Sequence, residues 1–298
     1  MAFLNQFGVE PFSAMVLIIN LGIAFLILSS LRFVLGFVAG VDSKDELAEK
    51  DNPAFGITLA GVIMGVTIML TGVVYGDASD NIKTELVSVL GYGILGIFLM
   101  SVTKTIFYKV TMPLLDVNKE IDKQNIAIAI LDAGNVIASA VMVRAVLVWT
   151  ESVTFKGALM VLLGYLLSQL LLTLASRVQR YKYRSYHGRS LQDALKLSNV
   201  ATAWHVIGYR IGVALAITAA TSYIPYSESD IAYTIFSWVA LSLVLMLSVA
   251  VLTWIAERMI FTGICIRDEI DVQQNLGLSV AHALLTVSVG LLLASLLA

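Results

Sequence analysis

Eight apolar stretches, separated by short polar connections, set the pattern of this chain. They run approximately 12–41, 53–75, 86–108, 126–149, 157–176, 200–223, 231–256 and 276–298. Each is close to the roughly 20 residues that a helix needs to cross a bilayer core. The second, fifth, seventh and eighth contain no Asp, Glu, Lys or Arg. The pattern predicts an all-α polytopic membrane protein, a bundle of eight transmembrane helices. No Lys or Arg precedes Arg32, so the basic start of a cleaved leader is missing and the first stretch is expected to stay as a span.

Composition extends this reading to the whole length. Only 13% of the 298 residues are charged and 58% are hydrophobic, where soluble domains carry about a quarter charged. The mean hydropathy is +0.87. A disordered chain and a nucleic-acid binder are excluded by this apolar excess and by a net charge of only −2. One cysteine, Cys265, rules out an internal disulfide, and His187, His205 and His282 are too scattered to form a ligand cluster by spacing. The chain has no phosphate-binding Gly-Lys-Ser/Thr loop, no His-Glu-x-x-His helix and no Gly-x-Ser-x-Gly elbow. No catalytic residue, metal or cofactor is therefore expected, and the protein is read as a non-enzyme.

Charge then orients the spans. The connections after odd-numbered stretches, with their flanks, hold fourteen of the nineteen Lys and Arg, and those after even-numbered stretches only Lys83 and Lys156. Basic residues in short loops mark the cytoplasmic side, so both termini are expected to face outward.

A repeat underlies the eight spans. Aligning Asn52 with Asn125 also matches Ala54 with Ala127, Ile57 with Ile130 and Ala60 with Ala133. A third copy begins at Asn199 and brings Gly208 and Gly212 into register with Gly61 and Gly65. A fourth begins at Asn275, where Leu284 replaces the first glycine. The unit is a helical hairpin: one span inward, a charged loop, then Asn and one span outward. Asn suits the N-cap because its side chain accepts from an orphan backbone N–H, and Pro53 suits the first helical position. Gly61 with Gly65, Gly134 with Ala138, and Gly208 with Gly212 are small pairs that let membrane helices approach closely. Because each unit crosses twice, successive copies enter in the same direction. Two similar halves, 1–150 and 151–298, are then expected around a pseudo-twofold along the membrane normal.

Paired-span repeats with an acidic-Asn-x-Ala entry and a following glycine resemble the bacterial inner-membrane family DUF350, a domain of unknown function. Members commonly carry one four-helix half, and this chain resembles two in tandem. The resemblance implies the fold and an inner-membrane location. It also implies a setting in envelope stress or membrane maintenance, as for the gene neighbourhoods of relatives.

Ionisable residues inside spans are costly and usually face protein or water. Asp132 lies seven residues beyond Asn125, about 10 Å deep at 1.5 Å per residue. His205 and His282 fall near the same level, and Arg210 and Arg32 about 15 Å from the inner side by the same rise. Asn135 and Ser139 share the helical face of Asp132. One reading is a polar inner-leaflet cavity bounded by Arg32, Asp132, Asn135, His205, Arg210 and His282, able to bind or pass an ion or small charged solute. Asp132 and His282 occupy equivalent positions in the two halves. The alternative reading makes Asp132 and Arg210 a structural salt bridge, lets Arg32 snorkel and packs His205 as a core residue.

The connection 177–199 is the most basic. Arg177, Arg180, Lys182, Arg184 and Arg189 alternate with Tyr181, Tyr183 and Tyr186. Such a cluster beside a span attracts anionic lipid, and an acidic peripheral protein could use it. Translocation of a charged solute and a membrane-organising role through this patch are thus the two expectations; oligomeric state is not legible.

Overall fold

The computed structural model describes residues 11–39, 42–75, 81–150, 155–227 and 229–297. Eight helices within it are long and apolar enough to cross a membrane. They are α1 (Pro11–Ala39), α2 (Pro53–Val73), α3 (Ile82–Ile106), α5 (Ile126–Thr150), α6 (Phe155–His187), α8 (Val200–Tyr223), α9 (Ile231–Ile260) and α10 (Leu276–Leu296). Two short helices, α4 (Val117–Asp122) and α7 (Leu191–Lys196), lie in the connections. One boundary differs from expectation. The basic connection after residue 176 is not a loop at first, because α6 continues as helix to His187.

All four repeat asparagines cap helices. Asn52 Oδ1 accepts from the N–H groups of Ala54 (3.0 Å) and Phe55 (3.1 Å). Asn125 accepts from Ile128, Asn199 from Thr202 and Asn275 from Leu278, at 3.0–3.3 Å. The amide nitrogen does a second job. Asn52 Nδ2 donates to the Ile121 carbonyl at 2.9 Å, Asn125 Nδ2 to Leu195 at 3.1 Å and Asn199 Nδ2 to Asp271 at 3.4 Å. Each acceptor stands four residues before the next cap asparagine. Every hairpin is thereby tied to its successor at one shared end of the bundle, the cap end.

The residue before each asparagine is left-handed: Asp51 (φ 47°), Gln124 (60°), Ser198 (58°) and Gln274 (57°). This kink ends the loop helix and aims the chain back into the bundle. The loops differ by one residue. The Asn52 and Asn275 N–H groups reach back six residues, to Glu46 and Glu269, whereas Asn125 and Asn199 reach back five. The longer pair absorbs the insertion as π turns, Asp45–Glu49 and Asp268–Val272.

Above the caps, α2, α5, α8 and α10 stand in a row, and the neighbours in it share the most extensive packing of the molecule. Glycine sets the spacing. A Cβ at Gly61 would lie 2.3 Å from that of Ala133, one at Gly134 would lie 2.4 Å from Ile207 Cγ2, and one at Gly208 would lie 2.4 Å from Ala283 Cα. Gly65 and Gly212 similarly abut Val136 and the Thr286 backbone. The register repeats: a glycine nine residues past one cap seats on the residue eight past the next. Lipid offers no hydrophobic drive between helices, so this close contact supplies the cohesion. In the fourth copy Leu284 stands at the glycine position and is 55% exposed, at the end of the row. The other helices fill grooves: α3 touches both α2 and α5, α6 touches α5 and α8, and α9 touches α8 and α10.

Candidate functional site

The row gives three grooves between consecutive hairpins, and the intramembrane charges divide among them. In the first groove, Lys104 of α3 reaches Asp132 of α5, Nζ to Oδ2, at 2.7 Å. The Tyr108 hydroxyl donates to Oδ1 of the same carboxylate at 2.6 Å. Asp132 is fully buried. A cavity of about 310 Å³ opens beside this group, walled mainly by apolar residues such as Phe55, Val62 and Met100. It is an ion pair whose carboxylate is buried and whose ammonium, 24% exposed, lines a mainly apolar pocket.

The second groove is plugged. Arg210 of α8 points at α6, where Nη1 donates to the Leu172 carbonyl (2.9 Å) and to Ser176 Oγ (2.7 Å). Its guanidinium lies 4.8 Å from the centroid of the Phe107 ring. The expected Asp132–Arg210 salt bridge is therefore not formed: a lysine on α3 takes the carboxylate, and the arginine turns to a backbone carbonyl, a serine and a ring, with its Nε unpartnered among the described residues.

The third groove holds a wide chamber. About 820 Å³ lies between α6, α8, α9, α10 and the connection before Asn275. His205 and His282 form its inner wall, their rings stacked at 4.7 Å with a 21° interplanar angle. His282 Nε2 bonds the Glu257 carboxylate. The Nδ1 atoms of both histidines are buried and have no protein partner among the described residues. Nearer the cap end, Asp271 accepts from Thr202 Oγ1 and pairs with His187 Nε2, each at 3.0 Å. Burial pushes the Asp271 carboxyl above its ordinary value, against the Thr202 and His187 bonds that pull it down. Both acids lining the chamber are thus occupied. Its cations are free of carboxylates among the described residues: Arg258 lies over Trp254 and Arg267 over Tyr186, with Lys182 beside them.

The single cavity expected from the sequence is thus split. His205 and His282 share the third groove, while Asp132 and Arg210 belong to the first and second. Asp132 and His282 do occupy equivalent places, but α8 stands between their helices, so they do not meet. Their partners reverse polarity, with base on acid in the first half and acid on base in the second. Asn135 and Ser139 are fully buried in α5, their side-chain polar atoms unpaired among the described residues, and they line neither cavity. The Arg32 side chain lies outside the described residues. The basic patch is partly tied down, since half-buried Arg180 donates to the Thr111 carbonyl and exposed Arg189 to that of Asp271. Arg177, Lys182 and Arg184 remain exposed.

Lys104 and Glu257 escaped the sequence reading because each sits near the cap end of its span, where a charge looks like ordinary loop flank. The available signal was the hairpin itself: an unpaired charge on its second helix finds a partner on its first.

The family model for DUF350, a domain of unknown function, matches residues 6–147 and again residues 152–297. Neither the curated proteins nor the solved structures yield a match. The chain belongs to the DUF350 family.

Proposed function

We propose that this DUF350 protein carries an ion or small charged solute across the inner membrane, with the third-groove chamber as its cytoplasmic station. The supporting observation is the stacked His205–His282 pair with Glu257 inside a large cavity, whereas Asp132 and Arg210 are buried against fixed partners. In this reading the cap end, and hence the chamber mouth, faces the cytoplasm and both termini lie outside, which the basic bias of the connections supports. Structurally equivalent grooves that are closed in one place and open in another fit a scaffold adapted for passage at one site. No catalysis is assigned to it.

The test is flux into proteoliposomes of the purified full chain, with a panel of protons, potassium, phosphate and sulfate. Flux of one of these above empty liposomes, reduced severalfold by His282→Gln, is the expected result. Flux equal to that of empty liposomes for charged solutes generally would remove the reading.

A second role, docking of anionic lipid or an acidic peripheral protein, draws support from the exposed Arg177, Lys182 and Arg184 on the extension of α6. Charge reversal of Arg177 and Arg184 should weaken binding to anionic vesicles; undiminished binding argues against this role.

A further inference from the structure

Electrostatics narrows the ligand of the third-groove chamber, given the reading above that the chamber is a solute station. Three fixed cations face it without carboxylate partners, Lys182 from α6, Arg258 from α9 and Arg267 from the connection. Glu257 and Asp271 face it too, but each is held by a histidine. The free charge is therefore positive, and clustered Arg and Lys recognise phosphate-like oxyanions by charge-assisted hydrogen bonds.

The histidines add a condition. A neutral His282 that donates from Nε2 to Glu257 leaves Nδ1 as an acceptor, which repels an anion. A proton at Nδ1 turns that atom into a donor. His205 faces the same constraint, and two cationic rings stacked at 4.7 Å oppose one another, so the pair takes up one proton. The remaining titratable groups lining the chamber are Tyr183, Tyr186 and His187 on α6, Tyr209 on α8 and Cys265 in the connection. His187 is committed to Asp271, so the pair is the free proton acceptor of the chamber.

We infer that the chamber binds a phosphate-class oxyanion together with one proton, taken up by the His205–His282 pair, the anion held by Lys182, Arg258 and Arg267. Anion and proton then strengthen each other's binding by the same factor. The shared chemistry is the oxyanion; it can come from a free ion or from the headgroup of an inner-leaflet lipid.

Sulfate is the useful probe, because it stays doubly charged across the histidine range and leaves any pH dependence to the protein. Binding is measured by calorimetry on the full chain in nanodiscs of zwitterionic lipid. Sulfate is expected to bind roughly tenfold tighter at about pH 5.5 than at about pH 7.5, the range in which histidine titrates. His282→Gln should flatten this dependence, and Lys182→Gln with Arg267→Gln, both at the chamber mouth, should weaken binding severalfold at both pH values. A parallel arm offers nanodiscs containing phosphatidylglycerol, whose phosphodiester keeps a single negative charge across the same range. Proton-dependent binding of that lipid with none of sulfate also supports the inference and assigns the oxyanion to the membrane. Binding of neither, or a full pH dependence retained in His282→Gln and in His205→Gln, overturns it. Proton-linked sulfate binding without flux in proteoliposomes would leave the site standing and remove transport. Flux of a cation with no oxyanion binding would do the reverse.

Discussion

One asparagine side chain performs two or three tasks at the start of each repeat. In Asn125 the oxygen caps its own helix, while the nitrogen bonds Glu120 at 3.0 Å and the Leu195 carbonyl of the next hairpin at 3.1 Å. Asn125→Ser keeps a capping oxygen and loses both donations; Asn125→Ala loses everything. Thermal unfolding in detergent should therefore rank the wild type above Asn125→Ser, and that above Asn125→Ala. The cap alone contributes about 1 kcal/mol, and the bond to the next hairpin about 1 kcal/mol more. Equal melting of the two variants would deny the cap its role. The left-handed residue before the cap is open to improvement. Gln274 holds φ 57°, a conformation that costs a side-chain-bearing residue about 1 kcal/mol, so Gln274→Gly should raise the melting temperature. Acid acts through Glu46, whose carboxyl the Lys50 ammonium holds below its ordinary value of 4.5. A lowered folded-state pKa stabilises above the unfolded value and loses that contribution as pH falls through the folded one. The stability difference between wild type and Glu46→Gln should accordingly shrink as the medium is taken below about pH 4.5; a gap that widens there would contradict the assignment.

Among elements, the row α2, α5, α8 and α10 depends on glycine only where two backbones meet. A Cβ at Gly208 would approach Ala283 Cα to 2.4 Å, whereas one at Gly91 in α3 meets nothing within 4 Å. Gly208→Ala should cost about 1–3 kcal/mol through forced separation of α8 and α10. Gly91→Ala should be neutral or gain up to about 1 kcal/mol in helix propensity. Comparable losses in both would mean that glycine matters here for flexibility and not for contact. This level of the structure is legible in the sequence. Asn at the entry and Gly nine residues later have local physical causes, so the repeat betrays them without knowledge of the fold. The side-chain partners are not legible in the same way. Lys104 with Asp132 and Glu257 with His282 depend on which helix faces which, and periodicity along one chain does not encode that. Arg210 makes the point most clearly, because its partners are a backbone carbonyl, a serine and a phenylalanine ring, none of which stands out as a charge partner.

At the scale of the molecule, tandem hairpins produce three equivalent grooves with three different contents. An ion pair beside a small apolar pocket occupies the first, an arginine plugs the second and the third stays open around two histidines. The spans and their tandem halves follow from apolar run length and the repeat, but a symmetric arrangement of polar residues suggests one shared cavity where the row separates them. The most direct measurement uses a membrane-impermeant thiol reagent on oriented vesicles. Native Cys265 is exposed and lines the chamber, Ala250 lines it from within α9, Leu247 is exposed on the same helix outside the chamber lining and Ser139 is fully buried. In a Cys265→Ser background, Ala250→Cys is predicted to react from the cytoplasmic side alone, the side that labels native Cys265, while Leu247→Cys and Ser139→Cys stay unlabelled. Labelling of Ala250→Cys only from the opposite side, or no faster than Leu247→Cys, would contradict a water-filled chamber open at the cap end.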